Sequence, residues 1–375
     1  MKKLNYKSNL GYIEGFYGKI LNWDSRNKII DSLSNHSMKY YFYAPKEDIC
    51  HRLLWRKSYP KSWINKFKNF CEYANSKGIR VIAGISPGLD YNFEIHKQEE
   101  DFKLLVNKIR ILINNGANQI AILFDDIPEN FEKKFKNLKE GFEHAKLLNK
   151  LKEIFDNDIF LVPRIYADEL NYNKNYIYNL LSNLNNNIKI FYCGEHIVSS
   201  TFKSSNKFLK DLIKQDRVIF WDNFYANDYC PKKFIIGPWK IKHYGKKFMF
   251  NLTGMINTDL LIIRLISLSD KNNTYKNWKK IILENDIPKQ FFEIKNYFLK
   301  PVFSNEKKLI VSKPSSKIIS AIDYLLWKWK TPLSLEWYPY LLILKHDLQL
   351  LNDNLSYNRI LKIHTIPMSQ KLLKK

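Results

Sequence analysis

The chain has 375 residues, 45% of them hydrophobic, enough for one large barrel and an appendage. Its longest apolar runs are far too short to cross a bilayer, which excludes a membrane-spanning helix. Its four cysteines (Cys50, Cys71, Cys193 and Cys230) include no CxxC pair, which argues against structural zinc and for a reducing compartment.

The net charge of +24 would point to nucleic acid if it clustered on one face. The lysines are instead spread over nearly every helical segment, beside Asn and Ile. The reading is a generally basic surface that attracts polyanions at long range, with no specific nucleic-acid partner. The first ten residues are basic but hold no apolar h-region, so no signal peptide and a cytoplasmic location are expected.

Eight short apolar runs follow in chain order. They begin with YIEGF (12–16), YYFY (40–43), VIAGI (81–85) and IAILF (120–124). IFLV (159–162), IKIFY (188–192), VIFW (218–221) and KFMF (247–250) complete the set. Their spacing of roughly 30–40 residues is that of the strand–helix units of a (β/α)8 barrel. Several intervals have helical periodicity. Trp63, Phe67, Phe70 and Ala74 share one face before Gly78, and Phe102, Leu105, Val106, Ile109, Leu112 and Ile113 form a stripe before Gly116. The stretch 131–155 reads as one long helix-prone segment, and Leu209, Leu212 and Ile213 mark a shorter helix. After the seventh run, 228–239 holds two prolines and a glycine, so its helix is expected to be vestigial or missing. No GxGxxG follows the first run, against a dinucleotide fold. The expected fold is an α/β (β/α)8 TIM barrel over 1–265 with a C-terminal α-helical region over 266–375. In that region 275–284, 289–298 and 318–329 read as helices, with a linker near 304–316 and a frayed basic tail from 369.

In such a barrel the chemistry lies on the loops that follow the strands. The fourth run ends in Asp125-Asp126, where apolar packing stops. Like charges that close disfavour joint ionisation, so one acid is expected to stay protonated near neutral pH. A proton donor beside an anion suits acetal cleavage. A helix cap or a cation site is the plainer alternative for the pair alone. The other run ends are polar or aromatic too, a ring that suits a sugar.

These run ends carry a resemblance. GYIEGFYG (11–18), YAPKED (43–48), HRLLWR (51–56), ISPGLD (85–90), LFDDI (123–127) and WDNFYANDY (221–229) occur in one order. Together they closely resemble glycoside hydrolase family 84, the β-N-acetylglucosaminidases that include O-GlcNAcases and some hyaluronidases, over about residues 9–265. The resemblance implies retaining, substrate-assisted hydrolysis, in which the sugar's own 2-acetamido oxygen attacks the anomeric carbon and forms an oxazoline. Asp125 would orient the acetamido group and Asp126 would be general acid, then base. The Gly15 backbone and Lys46 would contact sugar hydroxyls. Tyr166 and Trp221 would border the acetamido pocket, and Asn223 would bond near the reacting centre. Asp228 would hold hydroxyls on the far side, and Asn251 would stand at the end of strand eight, with Asn257 as its competitor for that match. Arg164-Ile165 and Tyr192-Cys193 depart from the family pattern. No metal or organic cofactor is implied; the partner is a GlcNAc-bearing glycoside or glycoprotein, and the oligomeric state is not indicated.

Other residues read as structural. Tyr17, Tyr43 and Trp55 are assigned no chemistry, nor are His51, His196 and His243. HRLLWR is expected to pack through Leu53, Leu54 and Trp55, Glu14 to sit in an internal ion pair, and Gly84 and Gly88 to serve turns or packing. Two rival functions stand beside the hydrolase. One is an endo-acting hyaluronidase-type enzyme, and the other is an inactive GlcNAc-binding module.

Overall fold

The computed structural model describes residues 6–94, 97–170, 174–199, 207–228, 233–240, 246–269, 274–301 and 313–351. His243, Cys230, the tail from 369 and most of the segment read as a linker lie outside them. Eight strands, β1 (Leu10–Glu14), β2 (Tyr40–Tyr43), β3 (Arg80–Ile85), β4 (Gln119–Leu123), β5 (Ile159–Val162), β6 (Lys189–Tyr192), β7 (Val218–Asp222) and β8 (Lys247–Asn251), pair in parallel and close into a barrel. Around them lie α1 (Trp23–Asn35), α2 (Lys61–Ser76), α3 (Gln98–Asn114), α4 (Phe131–Lys134), α5 (Glu140–Ile154), α6 (Lys174–Leu181), α7 (Lys207–Lys214) and α8 (Ile256–Ser267).

The predicted stripe of α2 is the face it buries, and Gly78 follows its end at φ +71°, which ends the helix cheaply. The long segment 131–155 is two helices, not one. Asn137, at φ +68°, lies between them, a conformation that breaks an α-helix. Between β7 and β8 the described residues carry no helix.

Side-chain alternation divides the barrel residues in two. Ile13, Phe42, Ile82, Ala121, Leu123, Phe160, Val162, Phe191, Ile219, Trp221 and Met249 fill the interior. Tyr12, Tyr41, Tyr43, Val81, Ile120, Ile122 and Phe220 face the helices. Glu14 falls on the outward parity and meets Arg26 of α1 in a doubly hydrogen-bonded ion pair (2.8 and 2.9 Å), with the Tyr41 hydroxyl donating to the same carboxylate. Gly84 packs where an added Cβ would lie 3.0 Å from Ala44 Cβ and the Tyr43 carbonyl.

Beyond the barrel come α9 (Thr274–Glu284), α10 (Phe291–Ile294), α11 (Ser316–Trp327) and α12 (Pro332–Leu351). Helix α12 was not among the expected helices. Pro332 is its first residue, a position where the missing N–H costs nothing, and Pro339 lies inside it. Helix α12 is bound to the barrel by Glu336, whose Oε1 accepts from Asn257 N and Nδ2 (3.0 and 2.8 Å) and whose Oε2 accepts from Thr258 N and Oγ1 (2.8 and 2.7 Å). Asn257 is thus engaged by α12.

Candidate active site

Continuing the inward parity past each strand end explains the site. Gly15 follows Ile13, Lys46 follows Ala44, Asp125 follows Leu123, and Asn251 follows Met249. Trp221 and Asn223 follow Ile219 in the same way. All six line one cavity of about 840 Å³ at the C-terminal mouth of the barrel. Asp126, Tyr166 and Asp228 line it too, so all nine residues singled out in the sequence meet there. Asp126 has the opposite parity. Its left-handed backbone (φ +54°) turns it back to the mouth.

Asp125 is nearly buried, and Lys46 donates to its Oδ2 at 2.5 Å. Lys46 therefore neutralises Asp125 as well as facing the cavity. Asp125 Oδ1 is buried with no hydrogen-bond partner among the described residues. Both oxygens of Asp126 are engaged. The Tyr17 hydroxyl donates to Oδ2 and the Tyr166 hydroxyl to Oδ1, each at 2.9 Å. Burial, reinforced by the Asp126 charge, pushes both phenols up, so they keep their protons and act as donors. Tyr17 is thus part of the site and not merely structural. Its parity, two residues beyond Gly15, was the signal that could have found it.

Trp221 forms one wall, held by an Nε1–H bond to Asn223 Oδ1 (2.9 Å). That oxygen also accepts from Asn251 Nδ2 (3.1 Å), while Asn223 Nδ2 donates to the Ile197 carbonyl (3.0 Å). The amide of Asn223 is therefore committed largely to building the wall. Asp228 Oδ2 accepts from the Tyr17 backbone N–H (2.9 Å), tying the β7 loop to the β1 loop. Cys193, a departure from the family pattern, lines the cavity; Arg164, the other departure, turns to Glu140 of α5 (2.7 Å) and does not.

Glu169 and His196, joined at 2.8 Å, also line the cavity; His196 was assigned no chemistry in the sequence, and nothing there marked Glu169. The HRLLWR segment departs from its expected packing. Trp55 is buried, but Leu53 and Leu54 are exposed (60% and 42%), and the anchors are Arg52, Arg56 and His51. The far wall comes from the helical region, through Tyr297, Phe298, Tyr340, Ile343 and Leu344.

A family profile described as beta-N-acetylglucosaminidase matches residues 10–257, the whole strand set. The chain belongs to the β-N-acetylglucosaminidase family. This bears out the resemblance to glycoside hydrolase family 84. Curated relatives include Protein O-GlcNAcase of Rattus norvegicus and of Mus musculus, each 30% identical over 239 residues. Those alignments cover 61% of this chain but 26% of each relative, so the chain spans about a quarter of their length. Among solved structures, a mutant of Thermobaculum terrenum O-GlcNAc hydrolase superposes with TM-score 0.71 at 22% identity, covering 91% of this chain and 82% of that one; it speaks to the fold. CpGH84B superposes with TM-score 0.65 at 25% identity, covering 99% of this chain and 66% of that one.

Proposed function

We propose that this protein is a retaining β-N-acetylglucosaminidase that removes terminal β-linked GlcNAc, O-GlcNAcase-like, by substrate-assisted catalysis. One observation carries the reading. Asp125 lines the cavity immediately beside Asp126, its Oδ2 held by Lys46 and its buried Oδ1 left without a hydrogen-bond partner among the described residues. A carboxylate oxygen in that state accepts an acetamido N–H. Its charge balances the positive charge that grows on the amide as the carbonyl oxygen closes on the anomeric carbon. The barrel then need not supply a nucleophile, an exception to the two-carboxylate scheme. Asp126 gives a proton to the departing oxygen and takes one back from water. Trp221 walls the pocket, and Asp228 and Lys46 are placed to bind hydroxyls.

The test is hydrolysis of aryl N-acetyl-β-glucosaminides, with the anomer of the first product read by NMR. Release of the β-anomer is expected; the α-anomer, or no turnover, overturns the reading. Asp126→Ala should slow a poor leaving group about 100- to 10,000-fold and an activated one far less, since the latter needs little protonation. Asp125→Ala should slow both alike. Equal losses for Asp126→Ala would refute the division of roles. An endo-acting enzyme would shorten hyaluronan quickly, whereas the exo-enzyme proposed here leaves it long.

A further inference from the structure

The general acid is held by a side chain that the chemistry above does not use. Arg52, nearly buried, donates from Nη1 to the Tyr17 hydroxyl oxygen (2.8 Å) and from Nη2 to the backbone carbonyl of Asp126 (2.7 Å). The second bond fixes a peptide in a conformation that residues other than glycine seldom adopt. The first occupies the Tyr17 oxygen, so the phenolic proton is left to point at Asp126 Oδ2. An arginine stays charged throughout the working pH range, so this direction never reverses. No donor among the described residues is set against the Tyr166 oxygen, and that hydroxyl is able to turn from donor to acceptor.

The segment carrying Arg52 is itself anchored. Lys108 of α3 donates to the carbonyls of Cys50, Trp55 and Lys57 (2.6, 2.5 and 2.7 Å), and Asp48 Oδ1 accepts from the N–H groups of Cys50 and His51 (2.9 and 3.3 Å).

From this geometry we infer that Arg52 is a positioning residue for the acid–base step and makes Oδ1 of Asp126 the oxygen that carries the catalytic proton. The doubly bonded oxygen of a carboxyl group is its better acceptor, so a fixed donor on Oδ2 leaves the proton on Oδ1. That proton passes to the glycosidic oxygen as the bond to the anomeric carbon breaks, its electron pair leaving with the aglycone, while the acetamido oxygen bonds to that carbon. In the second half, water's oxygen bonds to the carbon, its proton returns to Oδ1, and the acetamido oxygen leaves with its electron pair. The inference rests on the hydrolase reading.

The test compares kcat/KM for phenyl and dinitrophenyl N-acetyl-β-glucosaminides in Arg52→Met, Arg52→Lys, Tyr17→Phe and the Arg52→Met/Tyr17→Phe double variant. Loss of the latch should cost the phenyl substrate about 10-fold or more, a part of what a general acid contributes, and the dinitrophenyl substrate little. Lysine should not rescue, since one point donor does not span both oxygens. The double variant should be no worse than the worse single one, because the Tyr17 hydroxyl is one of the two groups that Arg52 itself holds. Tyr17→Phe, which removes a single oxygen, keeps the test sound if Arg52→Met folds poorly. Equal losses on both substrates, no loss, or multiplying losses in the double variant would overturn the role of Arg52. A wild-type chain inactive on both substrates would instead overturn the hydrolase reading, and this inference with it.

Discussion

At the scale of single residues, the proposed sugar pocket is bounded by a contact that leaves no room for a methyl group. A Cβ added at Gly15 would lie 2.9 Å from Trp221 Cη2 and Cζ2. Trp221 has nowhere to retreat. It is wedged edge-on against Phe42 and Phe191 (both 5.9 Å between centroids) and tethered by Asn223. Gly15→Ala is therefore expected to raise KM about 10-fold and to cost about 1–3 kcal/mol of stability, the usual penalty of overpacking. Steady-state kinetics and a denaturant titration check both; an unchanged KM would mean that Trp221 does not border the bound sugar. All nine residues named in the sequence were legible because they extend strand parity to the barrel mouth or carry a family motif. Arg52 sat in the HRLLWR motif and His196 was named, yet both were read as structural, and Glu169 was not singled out. They reach the site from loops whose path depends on contacts distant in sequence, such as the Lys108 anchor.

At the scale of elements, the strands and most barrel helices were readable from periodicity because each buries a stripe of its own residues. Helix α12 was hidden because what fixes it lies elsewhere. The N-cap residue of α8, Met255, makes no side-chain cap bond, and the exposed N–H groups are met by Glu336, 79 residues along the chain. A carboxylate there also complements the positive end of the helix dipole. Trp337 adds a bond to Thr258 Oγ1 (3.0 Å), and Tyr340 accepts from Asn227 Nδ2 (2.8 Å) before lining the cavity. Glu336→Ala should lower stability by about 2–4 kcal/mol, as loss of several bonds to one charged acceptor does. It should also raise KM, because Tyr340, Ile343 and Leu344 would no longer hold the far wall. A stability loss with unchanged KM would show that this wall does not meet substrate.

At the scale of the whole molecule, buried titratable groups set how stability varies with pH, and two of them act in opposite directions. His51 is fully buried and donates from Nδ1 to the Gly84 carbonyl (2.9 Å), while its Nε2 has no partner among the described residues. Burial, helped by the cations of Lys46, Arg52 and Lys108, lowers it from 6.5 to about 3. The unfolded chain takes up a proton below pH 6.5 that the folded chain refuses until about 3. This group's contribution is therefore complete above 6.5 and is lost as the pH falls. By pH 5 the loss is about 2 kcal/mol. Asp259 works the other way. It accepts from Thr253, Gly254 and Tyr12, yet burial, with Glu336 nearby, raises it from 3.8 to about 6. The folded chain then holds a proton that the unfolded chain has released, so this contribution is complete below 3.8 and is lost as the pH climbs to 6. Falling from pH 7 to 5, it returns about 1 kcal/mol. Denaturant midpoints at the two pH values should separate the effects. His51→Gln, whose amide still reaches the Gly84 carbonyl, should lose about 2 kcal/mol less than wild type over that interval. Asp259→Asn should lose about 1 kcal/mol more. Parallel curves for His51→Gln and wild type would mean that this imidazole is not the group the acid side must charge.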